Sequence, residues 1–141
     1  MSALPTVRLA FSSVPRYVRT ARLVAVAVAR RAGVSEDMLD EVRLATGEAC
    51  GAAVARHRRH GITDLVRVEM SDDGPYMVRV IDACGAGRIA MPAGNDEEAE
   101  DADRMHEALL AALVKDLEVR KGEDGTEVRM VWPVRRRLSG M

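Results

Sequence analysis

Apolar positions at two spacings organise this chain. Between residues 6 and 13, Val7, Leu9 and Phe11 alternate with Arg8, Ala10 and Ser12, the period of a half-buried strand. The spacing then lengthens: Val18, Ala21, Ala25 and Val28 fall on one side of a helix, Arg16, Arg19 and Arg30 on the other, with Arg22 at the margin. Ser13 as cap, Pro15 in the first turn and Gly33 as stop predict that this helix runs to Arg31. Ser35, followed by Glu36 and Asp37, opens a second helix with dipole-matched charge, which runs to about His60 and stops at Gly61. Alternating runs at 65–71 and Tyr76–Asp82, separated by Asp72, Asp73, Gly74 and Pro75, predict a hairpin. Residues 83–103 read as loop. The acidic run 96–103 has no large apolar side chain to offset ordering entropy, which predicts a mobile, lid-like segment over 88–103. Met105, Leu109, Leu110, Leu113 and Leu117 mark a third helix, and 118–121 with Thr126–Trp132 a second hairpin across Gly122, Glu123, Asp124 and Gly125. The basic tail 133–141 is expected to fray.

Strand, helix, helix, two strands, loop, helix, two strands is the order of an α+β fold: a two-layer α/β sandwich, three helices on one face of a mostly antiparallel sheet. At 141 residues the length fits one domain over 1–141, and 48% hydrophobic with 30% charged residues excludes a disordered chain. The net charge of -1 gives no global field toward nucleic acid, and the triple-arginine run 135–137 is too short to argue for it. Cys50 and Cys84 show no zinc or disulfide spacing and are expected as buried free thiols in a reducing compartment. The N-terminal segment lacks the order of a signal peptide, and the apolar run 23–29 is far short of the ~20 residues of a membrane span, so a cytoplasmic protein with no membrane contact is expected. Lysine is confined to Lys115 and Lys121 while Ala, Val and Arg are abundant, a composition of GC-rich, actinobacterial-like genomes.

Candidate chemistry concentrates on the second helix. Glu41, Glu48, Ala52 and Arg59 share one stripe, opposite Leu39, Val42, Ala49 and Ala53. Glu48 lies in the small-residue stretch LATGEACGAAVA and needs a polar partner, for which Arg43 and Arg79 are candidates. Asp82 ends a strand before Ala83, Cys84, Gly85, Ala86 and Gly87, where a carboxylate can read an amino group on a base or simply close a turn. Gly125 and Thr126 open the last strand.

Taken together, LDEVRLATGEACGAAV (39–54), VRVIDACGAG (78–87), LVKDLEV (113–119) and GTEVRMVW (125–132) resemble the anti-sigma-factor serine kinases of the GHKL (Bergerat-fold) ATPase superfamily, over nearly the whole chain. The resemblance implies a protein that sequesters a sigma factor, is released from it by an anti-anti-sigma (STAS-type) partner, and forms a homodimer. In active members ATP and magnesium bind between the helices and the loop, and a serine of the partner is phosphorylated.

The family's motifs are met only in part. Glu48 stands at the base position, but the magnesium-ligating Asn four residues on is Ala52, and a methyl group offers a hard cation no oxygen. The glycines after Asp82 are displaced by one residue, to Gly85 and Gly87, and the second glycine box is replaced by Arg104 and His106, where bulky side chains obstruct phosphates. Thr126 is kept. These departures point to a non-catalytic anti-sigma factor in which Glu48 is a relic, ATP with magnesium does not bind, and no metal is held. A ligand set of Glu48, Ala52, Arg56, Arg59, Asp82, Gly85, Gly87, Arg104, His106 and Thr126 would suit a nucleotide or nucleotide sugar, with His57 among the cations supplying charge without metal. Arg16, Arg19 and Arg22 are the expected partner contacts. The alternative is an active ATP- and magnesium-dependent serine kinase in which Glu41, Asp82 or the run 97–103 replaces the missing Asn; a third reading is a scaffold for another regulator.

Overall fold

The computed structural model describes residues 7–87 and 96–135. Eight elements follow one another: β1 (Val7–Phe11), α1 (Arg16–Ala32), α2 (Glu36–Arg59), β2 (Val66–Ser71), β3 (Tyr76–Asp82), α3 (Asp96–Leu113), β4 (Asp116–Lys121) and β5 (Thr126–Trp132). The strands form one antiparallel sheet in the order β1-β2-β3-β5-β4. The α+β sandwich expected from the sequence is the fold, with the three helices on one face of the sheet.

Strand alternation fixes that face. Val66, Val68 and Met70 on β2, Tyr76, Val78 and Val80 on β3, and Val128, Met130 and Trp132 on β5 are buried against Ala21, Ala25 and Ala29 of α1 and Leu39, Val42, Ala49 and Ala53 of α2. Small residues on α1 and α2 let both helices lie close to the sheet, and larger strand side chains fill the space between. Two polar aromatic tips tie the layers. The Tyr76 hydroxyl donates to the Ala25 carbonyl at 2.7 Å, and the Trp132 indole N–H donates to Glu41 at 2.8 Å, with the two rings 6.1 Å apart. The opposite face of the sheet carries cross-strand ion pairs, Arg79 with Glu69 and Glu127, and Arg129 with Glu118.

Helix ends differ in detail from expectation. Gly33 stops α1 in the left-handed conformation, φ 101°, as a C-terminal glycine does. Pro15, not Ser13, stands at the position before its first residue, and no side chain caps it; the Ser13 hydroxyl lies 2.9 Å from His57 instead. The acidic run 96–103 is not loop. It forms the first turns of α3, where carboxylates favour the positive end of the helix dipole. Of the lid-like segment expected over 88–103, residues 88–95 lie outside the described residues, as do 1–6 and the tail from 136. Leu117 belongs to β4 rather than to the third helix, and Leu65 is exposed ahead of β2. Leu110 of α3 is buried, whereas Met105 and Leu109, expected on the core side, are exposed. Among the described residues no helix is long and apolar enough to cross a membrane.

Candidate functional site

Asp82 is the hub of the site. Its strand alternation turns it toward the helices, where it is 4% exposed. A carboxylate that deep is tolerated only when donors surround it. One oxygen accepts the backbone N–H groups of Cys84 at 2.9 Å and Thr126 at 3.3 Å; the other accepts Arg56 Nη2 at 2.6 Å and Nε at 3.2 Å. The guanidinium of Arg56 continues to Asp103 of α3, 3.6 Å away, and Asp103 is also held by Arg59 at 3.4 Å. Arg56 thus links the end of β3 to the start of the third helix.

Beside this hub two turns interlock. A methyl group on Gly85 would lie 2.1 Å from the Glu123 carbonyl oxygen, and one on Gly125 would lie 1.9 Å from that of Asp82, so only glycine permits the approach. The N–H groups of Ala86 and Gly87 donate to the carbonyls of Gly122 and Glu123 at 3.0 and 3.2 Å. Lys121 pairs with Glu107 at 2.6 Å and fastens β4 to α3. A cavity of about 490 Å³ lies among Arg56, His60, Cys84, Lys121, Glu123 and Thr126. Burial, with help from the charge of Asp82, raises the pKa of the Cys84 thiol, leaving it a neutral wall of the cavity.

About two turns back along α2 from Arg56, Glu48 Oε2 lies 2.7 Å from His106 Nδ1, both side chains 35% exposed. Neither arginine foreseen for Glu48 reaches it: Arg43 pairs with Asp40, and Arg79 lies on the far face of the sheet. Ala52 sits between the two clusters, buried.

The sequence-derived ligand set is therefore split. Arg56, Asp82, Gly85, Thr126 and Arg59 meet at the hub, and Glu48 meets His106. Gly87 is exposed, with its N–H spent on Glu123, and Arg104 turns away to Asp101 on its own helix. His57 is no ligand cation. It is fully buried on the sheet side of α2, its Nε2 accepting the Ala83 N–H at 2.9 Å and its Nδ1 3.1 Å from the Asp64 carbonyl oxygen. Of the partner arginines, Arg19 is exposed, Arg16 stacks on the Tyr17 ring at 5.2 Å, and Arg22 is half-buried, its side chain laid over Gly47. Glu107 and Lys121 were missed, and Asp103 was foreseen only as a member of the run 97–103, not as the partner of Arg56 and Arg59. The signal was helix phase: 103, 106, 107 and 110 share one face of α3.

Magnesium does not fit these residues. Ala52 supplies no oxygen, and the three foreseen substitutes are engaged: Glu41 with Trp132, Asp82 with Arg56, and Asp103 with Arg56 and Arg59. The other described acids of the run 97–103, Glu97, Glu98, Glu100 and Asp101, are exposed, and Glu107 further along α3 is paired with Lys121. Among the described residues no group of three or more His, Cys, Asp or Glu is placed to hold a metal.

The architecture is shared with known proteins. A crystal structure of the RsbU and RsbW domains of Rv1364c from Mycobacterium tuberculosis superposes with a TM-score of 0.65 at 17% identity. The match covers 92% of this chain and 32% of that one, so this chain spans about a third of the length of that structure. No curated protein matches in sequence. Residues 11–132, from the end of β1 to the end of β5, match the histidine kinase-like ATPase domain family, and the chain belongs to that family.

Proposed function

We propose that this chain is an anti-sigma factor without kinase activity, a cytoplasmic homodimer-forming protein that sequesters a sigma factor and yields it to an anti-anti-sigma protein. The Glu48–His106 pair carries the reading. The carboxylate at the family's base position is engaged by a side chain from the position where the family has phosphate-loop glycine, so one contact fills both places that phosphoryl transfer would need. Arg56 adds to it by holding the carboxylate that would read adenine. The similarity to a structure containing an RsbW domain fits this class of protein.

Any ligand of the cleft is a nucleotide-derived molecule bound without magnesium, and it competes with Asp82 and Asp103 for Arg56 and Arg59. A thermal-shift titration with ATP, with and without magnesium, beside nucleotide sugars tests both points. ATP is expected to leave the melting temperature unchanged, whereas a true ligand at a hundredfold excess over Kd stabilises by ~2.7 kcal/mol. A magnesium-dependent ATP shift, or transfer of labelled phosphate to a STAS-type protein, overturns the non-catalytic reading. A panel with no shift at all removes the ligand and leaves the sequestering role, which loss of sigma-dependent transcription on adding the purified chain tests separately.

A further inference from the structure

The face of the sheet turned away from the helices carries a cavity of its own, about 680 Å³ against about 490 Å³ in the cleft. One cross-strand row forms its base. Arg67 of β2 lies beside Ile81 of β3, Ile81 beside Glu127 of β5, and Glu127 beside Arg120 of β4. Ile81 is half-buried and gives an apolar floor, and Leu65, 49% exposed just ahead of β2, adds an apolar wall. The turn from Gly122 to Gly125 closes the far side, and its close approach to Asp82 and Gly85 holds it in place. Successive residues of that turn serve different cavities: Glu123 lines the cleft, Asp124 lines this one. A regular sheet and a locked turn make a preformed site, with little ordering left for a ligand to offset.

Most charges around the cavity are already spent. Glu127 accepts from Arg79, Arg120 pairs with Glu118, Lys121 reaches Glu107 on the other side of the turn, and Asp64 is partnered as well. Arg67 and Asp124 differ. Both are exposed, and among the described residues neither side chain has a partner. The cavity therefore has one free cation and one free carboxylate on opposite sides of an apolar floor. Neighbouring strands are ~4.8 Å apart, which sets the two backbones ~10–15 Å from each other, and the side chains shorten that gap. A multiply charged anion does not match this lining, because Asp124 and Glu127 repel it.

We infer that this cavity binds a small zwitterion whose carboxylate and ammonium are held apart by an apolar chain. Arg67 receives the carboxylate with its planar fork of donors, and Asp124 receives the ammonium. The methylene chain between them lies over Ile81 and against Leu65, where it leaves water. The site uses none of Arg56, Arg59, Asp103, Glu48 or His106, and it stands whether or not the chain sequesters a sigma factor.

Amide-resolved nuclear magnetic resonance titration of the full chain with ε-aminocaproate tests it. Saturable shifts are expected at Leu65, Ile81, Asp124 and Gly125, with Glu48 and His106 unmoved and a Kd of about 1 mM. Hexanoate lacks the ammonium, hexylamine lacks the carboxylate and glycine lacks the spacer; each is expected to bind at least ~threefold more weakly. Arg67→Gln and Asp124→Asn should each weaken ε-aminocaproate at least ~threefold and leave the melting temperature unchanged, because neither side chain has a partner to lose. No saturable shift by roughly 10 mM, or shifts centred on the cleft, overturns the inference. So does equal binding of hexanoate or hexylamine, or wild-type affinity in either variant.

Discussion

Both ring nitrogens of His57 are engaged away from solvent. The Ala83 N–H points at Nε2, which must therefore carry a lone pair, so the proton is on Nδ1 facing the Asp64 carbonyl and the Ser13 hydroxyl. One neutral imidazole thus ties α2 to the end of β1, to the turn before β2 and to the residue after Asp82. His57→Ala leaves a buried N–H without a partner and opens a hole, and is expected to cost about 3 kcal/mol in urea unfolding. Its role was legible in principle: Cys50, Ala53 and His57 share the inward face of α2, and that phase outweighs the presence of Arg56 next door. Adjacent arginine and histidine suggested a joint anion site, but a step of one residue turns the helix by about 100° and separates them. Cys50 gives a second prediction at this scale. Burial pushes its thiol up to about 12, partly opposed by Arg22. A thiol raised in the folded state stabilises fully below the unfolded value of ~8.5, and that contribution is lost as pH rises beyond it toward the folded value. Cys84 and Tyr76 shift in the same direction. Stability should fall on the alkaline side from about pH 8.5 for the two thiols and from about pH 10 for Tyr76, by up to ~1.4 kcal/mol per pH unit for each group, and Cys50→Ala should flatten the slope above pH ~8.5. Equilibrium unfolding at a series of pH values measures both.

At the scale of elements, α3 shows the limit of composition as a guide. An acidic run poor in apolar residues cannot order on its own, but here it is the start of a helix whose later turns bury Leu110. Glutamate and alanine propagate a helix well, and Asp103 is pinned from two sides by Arg56 and Arg59. The helix itself was legible from its apolar spacing; its first turns were not, because their partners lie more than forty residues away on α2. The clips are unequal. Arg56 and Asp82 have side chains 13% and 1% exposed, so Arg56→Leu strands a buried carboxylate and should cost ~3–5 kcal/mol. Arg56→Leu combined with Asp82→Leu should cost less than Arg56→Leu alone, since no charge is left unpaired. Glu48→Gln acts on a partly exposed pair and should cost less than ~1 kcal/mol. Chemical denaturation of the three variants separates a structural hub from a surface contact. If Arg56→Leu proves as mild as Glu48→Gln, the buried ion pair is not what ties the end of β3 to α2.

For the whole molecule, the two hairpins, the helix placement and the strand-end position of Asp82 could be read along the chain, because each depends on local periodicity or on one motif, whereas the β1-β2 and β3-β5 pairings that complete the strand order could not. The charge network around Arg56 could not either. Arg56, Asp82 and Asp103 belong to three elements, and only the fold brings them into one chain of charges. Among the arginines proposed as partner contacts, Arg19 is exposed, so Arg19→Glu should weaken sigma-factor binding at least ~tenfold without changing the melting temperature, whereas Arg22→Glu disturbs the packing over Gly47 and is the poorer probe. Calorimetric titration of the sigma factor with each variant measures the difference. The contact between Trp132 and Tyr76 has a further, optical use. The chain has a single tryptophan, buried where β5 meets α2 and bonded to Glu41, with a tyrosine ring 6.1 Å away. Its emission is that of a shielded indole fed by energy transfer from the tyrosine, and it shifts to the red only when the last strand parts from the second helix. Intrinsic fluorescence therefore reports the docking of the two layers at one known position, with no label added.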